Sequence, residues 1–141
     1  MPLLSRKCLL AIAAVIDVAV YGNGRPVSAK ALASRHELPA RHLEPVLQAL
    51  VRQGILKGIR GPRGGYELAR ERRRITADDI LRAAGTVEDE EQIASGSSLL
   101  NDVVRPAMTQ AERAFSAALM RINVEDLARR AEPLNDAAAA Q

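Results

Sequence analysis

The sequence predicts a mainly α-helical protein carrying one small two-stranded β-hairpin, and three observations carry that prediction. An apolar stripe at helical spacing runs from Leu43 to Val51, directly behind a short capped helix. A Gly/Pro loop, Gly61 to Gly65, separates two short β-prone runs. A longer apolar stripe, Leu100 to Ile122, has no counterpart of similar length elsewhere in the chain. With 141 residues, 48% hydrophobic and 26% charged, the chain is long enough for one real core and too short for two large domains.

From Ser5 to Tyr21 almost every position is apolar, which predicts a helix buried on most of its circumference; Gly22-Asn23-Gly24 stops it. Arg6-Lys7 followed by an apolar run resembles the start of an export signal. Asp17 interrupts that run, no small-x-small cleavage site follows Val20, and the stretch is too short to span a bilayer. Cys8 opens the run instead of closing it, the wrong order for a lipoprotein signal. A cytoplasmic, nucleoid-associated protein without membrane contact is the expectation.

Ser28 is placed to cap a short second helix, Ala29 to about His36, with Leu32 on its inner face. Leu38-Pro39 breaks that helix and starts a third, in which Leu43, Val46, Leu47, Leu50 and Val51 form one stripe. Arg41, Glu44, Gln48 and Arg52 lie opposite, Pro45 is an unusual occupant, and Gly54 ends the helix. Two helices across a turn of about four residues make a helix-turn-helix, a weak signal by itself. The runs Ile55–Arg60 and Tyr66–Ala69 then flank the Gly61–Gly65 loop as a hairpin, carrying Lys57, Arg60 and Arg63, with Arg70 and Arg72–Arg74 beyond. A helix-turn-helix followed by a basic hairpin is a winged helix.

Thr76-Ala-Asp-Asp79 reads as a capping box, with Asp for the usual Glu, opening a helix to about Ala84. Gly85 to Ser98, with four consecutive acids at Glu88–Glu91, reads as a loop. The long stripe follows, with Pro106 either kinking its helix or marking its start, and Asn123 caps a final helix carrying Leu127. Ala137–Ala140 is expected to fray. The resulting division is a winged helix-turn-helix domain at 1–84, a loop at 85–98, dimerisation helices at 99–132 and a flexible tail at 133–141. A long helix with one unmatched apolar stripe predicts a homodimer.

The formal charge of +3 averages two unlike halves. Residues 1–74 hold 14 Lys/Arg and 5 Asp/Glu, net +9, whereas residues 75–141 hold 6 and 12, net −6. A basic first half joined to an acidic second half points to a polyanion-binding module plus a second function. Its sharpest element is Arg60-Gly-Pro-Arg-Gly-Gly-Tyr66. Gly61, Gly64 and Gly65 allow close approach to a surface, and Arg60 and Arg63 place cations where a narrow minor groove would attract them. The alternative is a solvated hairpin with incidental charge. On the third helix, Arg41 and His42 occupy the first turn and Gln48 lies further along. Arg41 would pair with guanine and Gln48 with adenine, or both would meet phosphate or water.

Catalysis finds no support: there is no P-loop, nucleophile elbow, dinucleotide fingerprint or carboxylate pair at acid–base spacing. One Cys excludes an intramolecular disulfide framework, a Cys-based zinc finger and an all-Cys iron–sulfur site within one chain. His36 and His42 sit on different elements and read as surface or DNA-facing residues, with no metal assigned. Cys8 reads as a small buried hydrophobe, or as a redox switch beside Arg6 and Lys7.

These residues resemble the Rrf-type family of bacterial winged helix-turn-helix regulators, which includes iron–sulfur, nitric-oxide and cysteine-metabolism repressors. Ser5-Arg6-Lys7, Pro26-Val27-Ser28, His42-Leu43-Glu44, the Arg60–Tyr66 wing, Ile75-Thr76 and Asp79-Ile80 carry the resemblance, closely over residues 3–85 and in pattern over 100–130. It implies a homodimeric transcription factor, expected to be a repressor, on double-stranded DNA with an imperfect palindrome. Ser5 and Lys7 would touch phosphate, and Ser28 would cap its helix or do the same. Arg41 and His42 would reach the major groove, and Arg60 and Arg63 the minor groove. Cluster-bearing members place three cysteines where this chain has Gly85–Ser98, and none stands there. An iron–sulfur cofactor is therefore not expected, which leaves a protein, a small molecule or cysteine oxidation as the signal. A winged-helix protein–protein module without DNA is the alternative function.

Overall fold

A computed structural model describes residues 4–85 and 97–139. Helix α1 spans Arg6–Gly22; the Ser5 hydroxyl caps it by accepting from the Cys8 N–H at 3.2 Å, and Asn23 ends it in the left-handed conformation that an Asn tolerates. Helix α2 (Ala29–Arg35) is capped by Ser28, which accepts from the Ala31 N–H at 3.0 Å. Helix α3 (Ala40–Arg52) follows Pro39, which stands just outside the first turn, and buries Leu43, Val46, Leu47, Ala49 and Leu50. Strands β1 (Leu56–Ile59) and β2 (Gly65–Leu68) pair antiparallel, Lys57 opposite Glu67 and Gly58 opposite Tyr66. The expected helix-turn-helix and hairpin are both present.

The capping box at Thr76 is reciprocal: its hydroxyl accepts from the Asp79 N–H and the Asp79 carboxylate accepts from the Thr76 N–H, both at 3.1 Å. It opens α4 (Ala77–Gly85). Beyond residues 86–96, a π-helical turn at Leu99–Val104 leads into α5 (Arg105–Leu119), so Pro106 marks the start of that helix, where its missing N–H costs least. The expected stripe ends at Leu119, and Ile122 lies beyond the helix. Helix α6 spans Val124–Ala139, capped by Asn123, whose Oδ1 accepts from the Asp126 N–H at 2.9 Å. It continues past the expected limit at residue 132, running through Pro133 into the alanine-rich end. The acidic run Glu88–Glu91 lies outside the described residues.

Leu32, Leu43, Leu47, Leu50, Ile55, Leu56, Ile75, Ile80 and Val15 form one fully buried core, and Val124 joins it. That last member corrects the expected boundary at residue 84. Backbone bonds from Ala77 N–H to the Ile122 carbonyl and from Val124 N–H to the Ile75 carbonyl, both 2.8 Å, tie α6 to the start of α4. Helix α6 then packs along α1, with Val124 and Ala128 fully buried. The wing joins the same body through Val27 and Tyr66, whose N–H and carbonyl groups exchange hydrogen bonds of 2.8 and 2.9 Å.

Helix α1 is not buried all round. One face carries the core residues Ala11, Ala14, Val15 and Val18, whereas Leu9 is 50% exposed. Asp17, which breaks the apolar run in the sequence, is 5% exposed and accepts from Arg35 Nε and Nη2 at 2.9 and 2.6 Å. Those hydrogen bonds push the Arg35 guanidinium further above its ordinary pKa, with burial opposing. Arg35 also lies over the Tyr21 ring, 4.1 Å from its centroid. His36 is half-buried at the end of α2, its Nε2 3.2 Å from Asp17 Oδ2 but outside hydrogen-bond geometry. It is neither a surface nor a DNA-facing residue, because the α2 terminus turns it onto α1.

Asp17 is buried and Arg35 is partly exposed, so removing the arginine strands a buried carboxylate. Arg35→Ala, which leaves Asp17 uncompensated, is expected to cost about 3 kcal/mol in urea unfolding. Asp17→Asn is expected to cost less, because Arg35 can turn toward water. Equal losses would show that the pair does not govern the α1–α2 junction.

Candidate nucleic-acid interface

Three grooves hold most of the candidate residues, and the second and third of them share Ser28 and Gly64. The first, of about 730 Å³, separates the start of α1 from the start of α3 and is lined by Arg6, Lys7, Arg41 and His42 over an apolar floor. The second, of about 430 Å³, lies between α3 and the wing and gathers Ser28, Gln48, Arg60, Gly61, Gly64, Gly65 and Tyr66. The third, of about 710 Å³, lies between the wing tip, α2 and the end of α1, and holds Arg25, Arg35 and Arg63 beside Tyr21 and Ser28. Apart from Ser5, which caps the start of α1 next to Arg6, the sequence-predicted DNA-binding candidates line one or another of these grooves. Arg25 joins them, legible in the sequence only as a basic residue just before Pro26.

Local chemistry sets each position. Arg41, Glu44, Gln48 and Arg52 are exposed along the outer face of α3 because Leu43, Val46, Leu47 and Leu50 hold the inner one. Pro45 sits in the second turn without breaking the helix. The Ser5 and Ser28 hydroxyl oxygens accept from their helices, which leaves each O–H able to donate outward. Cys8 is half-buried and packs against the core.

The wing loop depends on its glycines. Gly61 has φ +115°, and its carbonyl accepts from the Gly64 N–H at 2.9 Å. A Cβ on Gly64 would lie 2.1 Å from the Ile59 carbonyl oxygen, and one on Gly65 2.4 Å from that of Val27. No side chain fits between β2 and Val27.

The charges separate into two populations. Arg72 faces Glu125 at 3.2 Å and Glu132 at 3.6 Å on α6, Arg70 faces Asp79, Arg82 faces Asp78, and Arg73 and Arg74 share Glu71. The basic run after the hairpin is thus partly neutralised by the acidic half of the same chain. Arg6, Arg25, Arg41, Arg60 and Arg63 are exposed, and among the described residues none makes an ion pair. All five line the three grooves.

The Rrf2 family, described as iron-dependent transcriptional regulators, matches residues 4–130. The chain belongs to the Rrf2 family. Regulators of this family bind DNA, and its members are not enzymes. A Synechocystis relative, named as HTH-type transcriptional regulator slr0846, is 35% identical over 126 residues, covering 88% of this chain and 86% of its own length. The solved structure of CymR (YrzC), the global cysteine regulator of B. subtilis, superposes with a TM-score of 0.71 at 30% identity, covering 92% of this chain and 98% of CymR. IscR of T. potens gives 0.66 at 30% identity, covering 98% and 90%. These Rrf2 neighbours are winged-helix regulators with a C-terminal helix, as the sequence predicts for this chain.

The family description raises an iron site, and the donor set here does not suit a thiolate-held cluster. The single thiol, Cys8, sits on α1, and among the described residues no three His, Cys, Asp or Glu side chains group to hold a metal. Residues 86–96 contain no cysteine either. Among the described residues no helix is long and apolar enough to cross a membrane.

The glycine geometry makes a sharp contrast testable. Gly65→Ala is expected to cost about 2 kcal/mol and lower Tm by several degrees, since β2 must leave Val27. Gly58→Ala meets open space and is expected to stay within about 0.5 kcal/mol. Similar melting of the two variants would rule out the Val27 contact as the constraint.

Proposed function

We propose that this Rrf2 protein is a homodimeric repressor that binds a palindromic operator without an iron–sulfur cluster and answers to a small-molecule or protein effector. The observation that carries the DNA contacts is that all five arginines lining the three grooves at exposed positions, Arg6, Arg25, Arg41, Arg60 and Arg63, make no ion pair among the described residues. Carboxylates neutralise Arg72 and its neighbours within the fold, and these five are left for an external polyanion.

Arg41, His42 and Gln48 meet base edges from the exposed face of α3, and Arg60 and Arg63 enter or border the minor groove from the glycine-bent tip. Gly61, Gly64, Gly65 and Tyr66 let that tip come close, while Ser5, Lys7 and Ser28 position the protein on phosphates. Residues 1–84 make these contacts, with α6 completing their core.

Dimerisation rests on α5 and the turn before it. Val103 is 58% exposed and Met108 55%, with Leu99 and Val104 also open, an apolar row that a second copy would cover.

Titration of operator DNA against salt tests the reading. Affinity is expected to fall steeply as salt rises, and Arg60→Ala with Arg63→Ala is expected to weaken binding and reduce the logarithmic salt slope by about 2. Salt-independent affinity would overturn DNA binding; an unchanged slope would remove the wing from the interface. For the dimer, Val104→Glu with Met108→Glu is expected to convert a sedimenting dimer into a folded monomer of unchanged helicity. A dimer that survives the double variant would move the interface off α5.

A further inference from the structure

We propose that the groove between the starts of α1 and α3 is a ligand site, and that it takes a small amphipathic monocarboxylate. Its chemistry differs from that of the other two grooves. The α3–wing groove mixes glycine backbone, Ser28, Gln48 and a single arginine, Arg60, with scattered apolar groups such as Val51 and Ile59, and the wing–α2 groove is dominated by three arginines and a tyrosine. The α1–α3 groove has a floor of Leu10, Leu38, Pro45 and Val46, with Arg6 and Arg41 on opposite walls.

A hydrated DNA phosphate gains nothing from such a floor, since apolar side chains cannot replace its water. An apolar body does gain, by roughly 25 cal/mol for each Å² it removes from water. The groove, at about 730 Å³, falls within the range of small-molecule sites, which are mostly apolar with a few placed polar groups. The head group follows from the walls. Among the described residues Arg6 and Arg41 carry no carboxylate partner, and a guanidinium fork matches a carboxylate in two-point geometry. A dianion would hold its hydration against the floor; a single carboxylate at the end of an alkyl or aryl body satisfies both surfaces.

The position has a regulatory consequence, which rests on the DNA-binding reading. Arg41 and His42 line this groove and also begin the exposed face of α3. A ligand seated on Arg41 removes that cation from the operator interface, so ligand and DNA exclude each other. By linkage, operator DNA weakens the ligand by the same factor.

Decanoate below its micelle concentration serves as the probe, added to the ¹⁵N-labelled full chain. Saturable amide shifts are expected in residues 6–10 and 38–46, and decyltrimethylammonium, with the same chain and opposite charge, should leave those amides unmoved. Arg6→Ala and Arg41→Ala, both at exposed positions, are each expected to lower decanoate affinity about five- to tenfold, or roughly 1.0–1.4 kcal/mol. Shifts confined to residues 99–119 would overturn the site, since the probe would then merely coat α5. Equal binding of the cation would overturn the monocarboxylate assignment. In a separate titration, saturating decanoate is expected to weaken operator affinity at least about tenfold, and unchanged affinity with decanoate seated would overturn competition. The shift map needs no DNA, so a chain that bound decanoate but no operator would sink the DNA reading and leave the site standing.

Discussion

The paired backbone bonds between Val27 and Tyr66 are the constraint on which the rest of the basic face depends. They fix β2 against the residue that precedes Ser28, the cap of α2, so wing and helix pair move as one surface. A backbone latch of this kind tolerates no side chain, which explains the paired glycines: one closes the loop on Ile59, the other lies on Val27. The second tie is ionic. Asp17, sunk in α1, holds Arg35 at the end of α2, and Tyr21 covers the guanidinium. Between them these contacts hold α2 to α1 and to the wing, while the buried stripe of α3 sets which of its sides faces out.

Net charge is a poor guide to such a molecule, and the distribution of pairing is a better one. Fourteen basic residues in the first half suggest a uniformly positive module, yet several are spent inside the protein. Arg72 joins the base of the hairpin to α6 through Glu125 and Glu132, and Arg70 sits over the α4 cap. Among the described residues, cations without a carboxylate partner remain at the three grooves and also at Lys30, Arg52, Arg113, Arg121 and Arg130. Exposed ion pairs contribute little to stability individually, so their main effect here is to set which cations stay open to an outside partner.

Much of this was legible before any coordinates. Ser28 and Asn123 cap helices and Thr76 opens a box because those signals act within four residues, and the wing's glycine run admits few alternatives. The charge distribution and the apolar stripe of α3 placed Arg41 and Gln48 outward for the same local reason. What escaped was every feature set by residues far apart in the chain. Asp17 looks like an interruption until Arg35 arrives beside it, and His36 looks exposed until α2 turns it inward. Leu9 looks buried because helical periodicity reports which residues are apolar and not what lies opposite them. The paired state of Arg72 depends on acids more than fifty positions later.

The burial of Val124 has a consequence for how the protein is made. Its side chain closes a core otherwise built from residues up to Ala84, and the bond to the Ile75 carbonyl spans 49 positions of chain. A loop of that length is entropically expensive to close, and nothing earlier in the sequence can substitute for it. During synthesis the core around Ile75 therefore stays open until Val124 has been made and α6 can fold back. Helix α5, which precedes it, is complete by then. A chain that stops before residue 124 thus keeps the whole helix-turn-helix sequence and still lacks the side chain that closes its core.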